Sequence, residues 1–176
     1  MQSKIQGHPS VDCFNGLHCT TGSLGHGLPI GAGMAFARKL KKEGGKIYIL
    51  IGDGECQEGT TWESLLLASH YKLDNLVILV DYNKIQGSGR VEEVLSLGDL
   101  RKKFSAFGSE VIEVENGHSY KEILNAFKKD TEQNKPKIIL LHTIKGKGVS
   151  YMENKPKWHS KFPNPEELEI AFKEFE

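Results

Sequence analysis

The sequence predicts an α/β fold, a mostly parallel sheet with helices on both faces. Two continuous apolar runs, residues 46–51 and 75–83, are rich in Ile, Leu and Val, as in strands that are buried on both faces. The segment between them, residues 60–73, has the spacing of a helix. Strand, helix and strand in this order form a βαβ unit, whose crossover is nearly always right-handed.

The rest of the chain continues this alternation. Residues 1–23 contain Gly, Pro, Ser, Thr and Asn throughout and are predicted to be irregular. A helix is predicted to begin near residues 25–29 and to run to about Lys42, before Gly44 and Gly45. The later predictions are a strand at 109–115, a helix at 119–133, a strand at 136–144, a loop at 146–165 and a short acidic helix at 166–174.

Two helices have residues that predict how they pack. The first contains small residues that favour close approach to another backbone, either within the chain or at an interface: Gly31, Ala32, Gly33, Ala35 and Ala37. In the helix predicted at 60–73, one side is expected to carry Trp62, Leu65, Leu66 and Ser69.

Composition limits the classes of protein to which the chain can belong. Its 176 residues suit one α/β domain spanning 1–176, and 38% hydrophobic content is typical of a globular protein. Lys+Arg and Asp+Glu both total 23, so the zero net charge gives no electrostatic case for nucleic acid or an anionic membrane. Cys13, Cys19 and Cys56 form no CxxC pair and no apolar signal segment is present, so we expect a reduced, cytoplasmic protein.

A carboxylate stands between two glycines where the first apolar run ends. Asp53 occupies this position, and Asn83 ends the next run. In an open parallel sheet, ligands bind outside the carboxyl ends of the strands, and a right-handed crossover brings two neighbouring ends together. Mg²⁺ binds carboxylate and carbonyl oxygens together with phosphate and water. Asp53, Asn83 and a backbone carbonyl from residues 83–87 therefore predict a site for Mg²⁺ on a diphosphate.

The same residues have a simpler interpretation. Asp-Gly pairs are ordinary turn formers, so Asp53 and Gly54 could form only a turn. Asn83 could then be a cap at the end of a strand. The residues alone leave both interpretations open.

Linked motifs give the chain a resemblance to a known family. GDGECQEGTTWE (52–63) is followed by LVDYNKIQGSG (79–89), and Asn83 lies 30 positions after Asp53. This resembles the thiamine diphosphate signature of transketolases, and TTGSLGHGLPIGAGMAFA (20–37), QGHP (6–9) and HTIKGKGVSYMENKPKWH (142–159) resemble further segments of that family. The chain resembles the short N-terminal subunit of two-gene transketolases more closely than the single-chain enzyme.

The resemblance implies a metal site and a cofactor site. It implies that Mg²⁺ is held by Asp53, Asn83 and the main-chain carbonyl of Ile85. It also implies that thiamine diphosphate faces the backbone around Gly22, Leu24 and Gly54, in the diphosphate-binding domain of the thiamine diphosphate fold.

Four further residues are implied to act near the substrate or between active sites. His8 and His159 would lie near the donor sugar and the diphosphate, and Glu58 and Glu63 match acidic residues that link paired active sites across the dimer. Each has an ordinary alternative. His8 could be a solvated loop residue, and His159 could accompany Trp158 at a core edge. Glu58 could be a charge at a helix N-terminus, and Glu63 could be a surface charge.

The resemblance implies an enzyme subunit that transfers a two-carbon ketol unit from a ketose to an aldose. The carboxylate that activates the cofactor belongs, in the family, to a pyrimidine-binding domain, so we expect a separate partner subunit in a dimer or heterotetramer. The family's SGHxGG-like segment is absent, so we expect an N-terminally shortened domain, either truncated or naturally short. The alternatives are a sibling enzyme, such as a 1-deoxyxylulose-phosphate synthase or a ketol or acyl transferase acting on nucleotide-linked sugars, and a non-catalytic, partner-binding relic.

Overall fold

The computed structural model describes residues 7–11, 16–130 and 133–175. The strands in these ranges are β1 (Ile47–Gly52), β2 (Leu76–Tyr82), β3 (Ile85–Gln86), β4 (Gly89–Arg90), β5 (Glu110–Val114) and β6 (Lys137–His142). A four-stranded parallel sheet has the order β1-β2-β6-β5, and β3 and β4 form a short antiparallel hairpin. The prediction of a mostly parallel sheet is confirmed.

Helices cover both faces of the sheet, as predicted. They are α1 (Gly27–Leu40), α2 (Gly59–His70), α3 (Val91–Leu95), α4 (Leu100–Ala106), α5 (Tyr120–Lys128) and α6 (Pro165–Lys173), with 3₁₀ helices at Asp53–Gln57 and Pro156–His159. One face forms the larger core with α1, α2 and α4, and includes Leu65, Ile78 and Phe104. The other face packs against α5. Among the described helices, none has both the length and the apolar content to cross a membrane.

The prediction that the first strand is buried on both faces is wrong. β1 lies at the edge of the sheet, and its Tyr48 and Leu50 side chains are 55% and 69% exposed. The register places these two residues beside Val77 and Leu79, on the face where α5 packs mainly against β5 and β6. Phe127 of α5 meets the Tyr48 ring at a centroid distance of 5.8 Å, which leaves Tyr48 half-exposed. The apolar run correctly predicts a strand. Whether both faces of that strand are buried depends on the helices that pack against it, which the run does not show.

Close packing by the small residues of α1 takes place within the chain at Gly31. A Cβ atom built on Gly31 would lie 2.1 Å from the Ile49 Cδ1 atom of β1, so the helix backbone rests on the strand. Ala32 and Ala35 are buried in the same core, whereas Gly33 and Ala37 are exposed. The small residues therefore divide into a packed face and an open face.

Several boundaries differ from the sequence prediction. Leu66 is exposed, because the buried side of α2 carries Thr61, Ser64, Leu65 and Ala68 instead. The helix predicted at 119–133 ends at Lys128, and the predicted loop at 146–165 contains a 3₁₀ helix. Elements not predicted are α3, α4 and the β3–β4 hairpin, whose strands are too short to show a hydrophobic period. In the predicted irregular segment 1–23, the described residues lie outside helices and strands, and residues 1–6 and 12–15, including Cys13, lie outside the described ranges.

Candidate cofactor and metal site

The predicted meeting of two strand ends is observed at the carboxyl edge of the sheet. β1 and β2 are parallel neighbours, and their last register pair is Gly52 with Asp81. Asp53 follows immediately, and the N–H of Lys84 donates to Asp53 Oδ2 at 2.5 Å. The residues predicted from the two strands therefore lie together at this edge.

Asp53 is a buried carboxylate, only 2% exposed. Burial raises the pKa of its carboxyl above the ordinary value, against hydrogen bonds from the N–H groups of Lys84 and Gly54. The charge of Asp81 raises this pKa further, and that of Lys145 lowers it. A buried anion beside a second carboxylate is stabilised by a cation, and a divalent metal ion is the strongest such partner.

The Asn83 side chain is oriented by two hydrogen bonds. Its Nδ2 donates to Asp81 Oδ2 at 2.8 Å, and its Oδ1 accepts the N–H of Ile85 at 2.9 Å. Thr143 Oγ1 donates to the other oxygen of Asp81. Asn83 thus caps the end of β2, as the simpler interpretation predicted, and the remaining lone pair on Oδ1 is also a possible metal ligand. The capping and metal-binding roles are compatible in this geometry.

The glycine loops predicted to face the cofactor have close neighbours. A Cβ atom on Gly54 would lie 3.4 Å from Gln86 Cβ, and one on Gly22 would lie 3.2 Å from the Cγ atom of His8. The structure therefore brings His8 onto Gly22. Leu24 is 59% exposed beside them.

His159 lies beside the β3–β4 hairpin. Its Cδ2 atom would be 3.2 Å from a Cβ on Gly87, and its Nδ1 lies 3.2 Å from Lys145 Nζ. Desolvation lowers the pKa of His159 below its ordinary value, and the charge of Lys145 lowers it further. Trp158 packs against Tyr151. The neighbours Trp158 and His159 therefore have separate surroundings. Lys145 was not predicted from sequence, although it belongs to the quoted KGKG segment.

The two predicted acidic residues flank the start of α2. Glu58 is the N-cap residue and packs against Gly25, where an added Cβ would lie 2.6 Å from Glu58 Cβ. Glu63 is exposed on the first turns of the helix. Both side chains lie on the surface of the single chain, where a partner could reach them.

A second group of possible metal ligands lies at the ends of β5 and β6. The ligand atoms of Glu113, Glu115 and His142 lie within 4.8 Å of one another. His142 Nε2 is 2.7 Å from Glu113 Oε1, and Arg101 Nε is 3.8 Å from Glu113 Oε2. The Glu113 carboxylate therefore already has a histidine and an arginine beside it, whereas Asp53 is more deeply buried and is held by backbone N–H groups beside a second carboxylate, Asp81.

Comparison with protein families decides the assignment. Residues 1–173 match the family described as transketolase, thiamine diphosphate binding domain. The chain belongs to the transketolase family. This confirms the resemblance inferred from the GDG and Asn motifs, and it agrees with the parallel sheet and its buried Asp53.

Subunit-type relatives of this transketolase-family chain are longer than the chain itself. It is 45% identical over 173 residues to an apulose-4-phosphate transketolase subunit of Phocaeicola vulgatus, covering 98% of this chain and 61% of that protein. It is 41% identical to a 6-deoxy-6-sulfo-D-fructose transketolase subunit of a Clostridium species, covering 92% of this chain and 58% of that protein. The chain thus spans less than two thirds of these relatives.

Solved transketolases share the fold. The transketolase of Campylobacter jejuni superposes with a TM-score of 0.86 at 33% identity, covering 98% of this chain and 28% of that one. The transketolase of Pichia stipitis in complex with sedoheptulose-7-phosphate gives 0.86 at 27% identity, covering 98% and 27%. The transketolase-family chain therefore corresponds to one part of these enzymes.

Proposed function

We propose that this chain is the diphosphate-binding subunit of a transketolase that depends on thiamine diphosphate and Mg²⁺. With a partner subunit it would transfer a two-carbon ketol unit from a ketose to an aldose. The observation that carries this proposal is the buried Asp53 carboxylate, which contacts the loop after β2 at the carboxyl edge of the sheet.

The residues at this edge fit a hard cation. The Asp53 carboxylate, the Asn83 amide oxygen and the Ile85 carbonyl form an all-oxygen set, as Mg²⁺ requires, with places left for phosphate oxygens and water. Gln86 supports the fit, because its Oε1 atom is buried without a hydrogen-bond partner in the described part of the chain. We assign the metal to this site rather than to Glu113, Glu115 and His142.

The loops around the metal site have suitable surfaces for the rest of the cofactor. Gly22 lies against the His8 ring and Gly54 against Gln86, so the cofactor is proposed to meet the backbone of these glycines beside the two side chains. Leu24 offers an exposed apolar surface. When bound, thiamine diphosphate supplies the electron sink for cleavage of the ketose.

Two histidines are proposed to hold or move protons near the bound sugar. With its pKa lowered, His159 is neutral near pH 7, and Nδ1 accepts from Lys145, so Nε2 carries the proton. His8, which lies over Gly22, is proposed to act beside the donor sugar. General acid–base groups of this kind typically contribute about 10²- to 10⁴-fold to a rate.

The proposed partner is a separate pyrimidine-binding subunit, in a dimer or heterotetramer. Glu58 and Glu63 are accessible at the start of α2, where they could link paired sites. The relatives described as subunits support a two-chain enzyme, and their names carry two different sugars. Sugars or sugar phosphates are therefore the proposed substrates. Cytoplasmic location is also proposed, and the described cysteines, Cys19 and Cys56, are free thiols.

Calorimetric titration of thiamine diphosphate with Mg²⁺ tests the cofactor site. The chain is titrated alone and mixed with a candidate partner subunit. We expect binding that is lost in Asp53→Ala, since this variant removes the buried metal ligand. Glu113→Gln is the control, because it alters the other group of possible ligands and should leave binding intact.

Ketol transfer is then measured with both subunits and with this chain alone. The proposal predicts activity only for the mixture, and activity of the isolated chain would contradict the need for a partner. Absence of cofactor binding even with the partner present would favour the non-catalytic relic.

A further inference from the structure

We propose that Glu55 is a positioning residue that holds the loop at residues 22–25 against the Gly-Asp-Gly turn. The inference rests on the proposed function, because it assigns the loop to the cofactor and the turn to the metal. Glu55 Oε1 accepts the N–H of Gly25 at 3.1 Å, and Oε2 accepts the N–H of Gly52 at 2.9 Å. One carboxylate thus joins two segments that are distant in sequence.

Gly25 is the point where the loop is fixed. It is buried and has φ +72°, a conformation that favours glycine. Its carbonyl accepts Thr60 Oγ1 at 2.8 Å, while its N–H is taken by Glu55. Both polar groups of the Gly25 backbone are therefore held by residues that follow the Gly-Asp-Gly turn.

The loop has no regular structure to fix it otherwise. Residues 20–25 lie outside helices and strands, and α1 begins only at Gly27. A loop of this kind keeps one geometry only when specific contacts hold it. The loop has contacts of its own, from the Thr21 N–H to the Pro9 carbonyl and from the His26 N–H to the Ser23 carbonyl. Glu55 and Thr60 are the residues that tie it, through Gly25, to the segment after the Gly-Asp-Gly turn.

The contact needs a carboxylate. Two N–H donors require two acceptor oxygens, and the two oxygens of an ionised Glu face them both. A Gln side chain has the same shape but only one acceptor oxygen, so its NH₂ group opposes one of the two N–H groups. Glu55→Gln is therefore a nearly isosteric variant that breaks the contact.

The matched control lies in α6. Glu167 Oε2 accepts the N–H of Asn164 at 2.9 Å, the same local contact that Glu55 makes with Gly52, but at the opposite end of the chain sequence. Glu167→Gln should loosen its own helix start and leave cofactor binding unchanged. Comparison of Glu55→Gln with Glu167→Gln therefore distinguishes the loss of a helix-capping contact from the loss of the contact that positions the loop.

Two measurements test the proposal on the full chain. Amide hydrogen exchange is measured first without cofactor, and Glu55→Gln should accelerate exchange at Gly25 and Gly52. Thiamine diphosphate with Mg²⁺ is then titrated in the presence of the partner subunit, and affinity should fall at least about 10-fold, equivalent to about 1.4 kcal/mol. Glu167→Gln should bind as the wild-type chain does.

The outcomes are distinguishable. Unchanged exchange at Gly25 in Glu55→Gln overturns the contact, and faster exchange with unchanged affinity overturns the positioning role. Failure of the wild-type chain to bind the cofactor refutes the proposed function itself, and the exchange measurement then still decides whether Glu55 holds the loop. Thr60→Val, which removes the contact with the Gly25 carbonyl, gives a second variant if Glu55→Gln does not fold.

Discussion

A buried carboxylate and a buried thiol lie at the Gly-Asp-Gly turn. Asp53 is buried between β1 and the loop after β2, and Asp81 orients Asn83 beside it. Cys56, in the short helix after the turn, is completely buried. Burial raises the pKa of the Cys56 thiol to about 12, and the charges of Asp53 and Glu55 add to the rise.

We predict that Cys56 resists alkylation in the folded chain. The thiolate is the reactive form, and neither deprotonation nor access is available to this thiol near pH 8. Cys19 is partly exposed and should be labelled first. Mass spectrometry after iodoacetamide treatment measures the labelling of Cys19 and of Cys56. Denatured protein is the control, in which both of these cysteines react. Equal labelling of both cysteines in the native chain would contradict the prediction.

At the scale of elements, contact between α1 and β1 supports the loop that precedes the helix. Gly31 allows the helix to rest on Ile49, and α1 also packs against α2. The loop at residues 22–25 enters this helix directly, so the position of α1 contributes to the geometry of the site.

We predict that Gly31→Ala and Gly33→Ala have opposite effects on stability. The new methyl at residue 31 would meet Ile49 Cδ1 at 2.1 Å, and such overpacking typically costs about 1–3 kcal/mol. Gly33 is exposed with nothing within 4 Å of an added Cβ, so Ala there should stabilise the helix by about 0.5–1 kcal/mol. Urea denaturation of both variants measures the difference. Equal stability of the two variants would show that Ile49 moves aside without cost.

At the scale of the whole molecule, the sheet contains a buried cation. Lys137 begins the central strand β6 and is 1% exposed, and its Nζ donates to the carbonyls of Phe127 at 3.2 Å and Lys129 at 2.6 Å. It thereby joins the C-terminal end of α5 to the sheet. Burial lowers the pKa of Lys137, and the charge of Lys46 lowers it further, against the charges of Glu110 and Asp130.

We predict that Lys137 gives the free energy of unfolding a specific pH dependence. The folded-state pKa lies below that of the unfolded chain, about 10.4, so the folded chain releases this proton first. The unfolded state then binds more protons, and stability rises with pH in the interval between the two pKa values. The stability of the wild type relative to Lys137→Met should therefore increase as the pH rises through the interval that ends near the unfolded-state pKa of about 10.4.

Denaturant unfolding at several pH values measures this difference. Lys128→Met, at an exposed position on α5, is the control and should show no such trend. A difference between wild type and Lys137→Met that stays constant with pH would contradict the prediction.

The sequence by itself determined the fold class and indicated the residues that are proposed to hold the metal. The apolar runs predicted β1, β2 and β6, because buried strands need continuous apolar side chains. Asp53 and Asn83 followed from the rule that parallel strands present their carboxyl ends at one edge of a sheet. The linked motifs were specific enough to indicate the family before any fold was known.

Only the tertiary structure decided the contacts that lie far apart in the chain. The exposed face of β1, the contact of α1 with Ile49 and the joining of Gly25 to Gly52 by Glu55 all depend on which elements meet in space. Glu55 has no distinguishing signal in the sequence, because a glutamate in a polar turn is ordinary. Its role becomes visible only when the fold brings the N–H donors of Gly25 and Gly52 to its two oxygens. Local patterns follow from the periodicity of helices and strands, whereas these contacts arise from packing between separate elements.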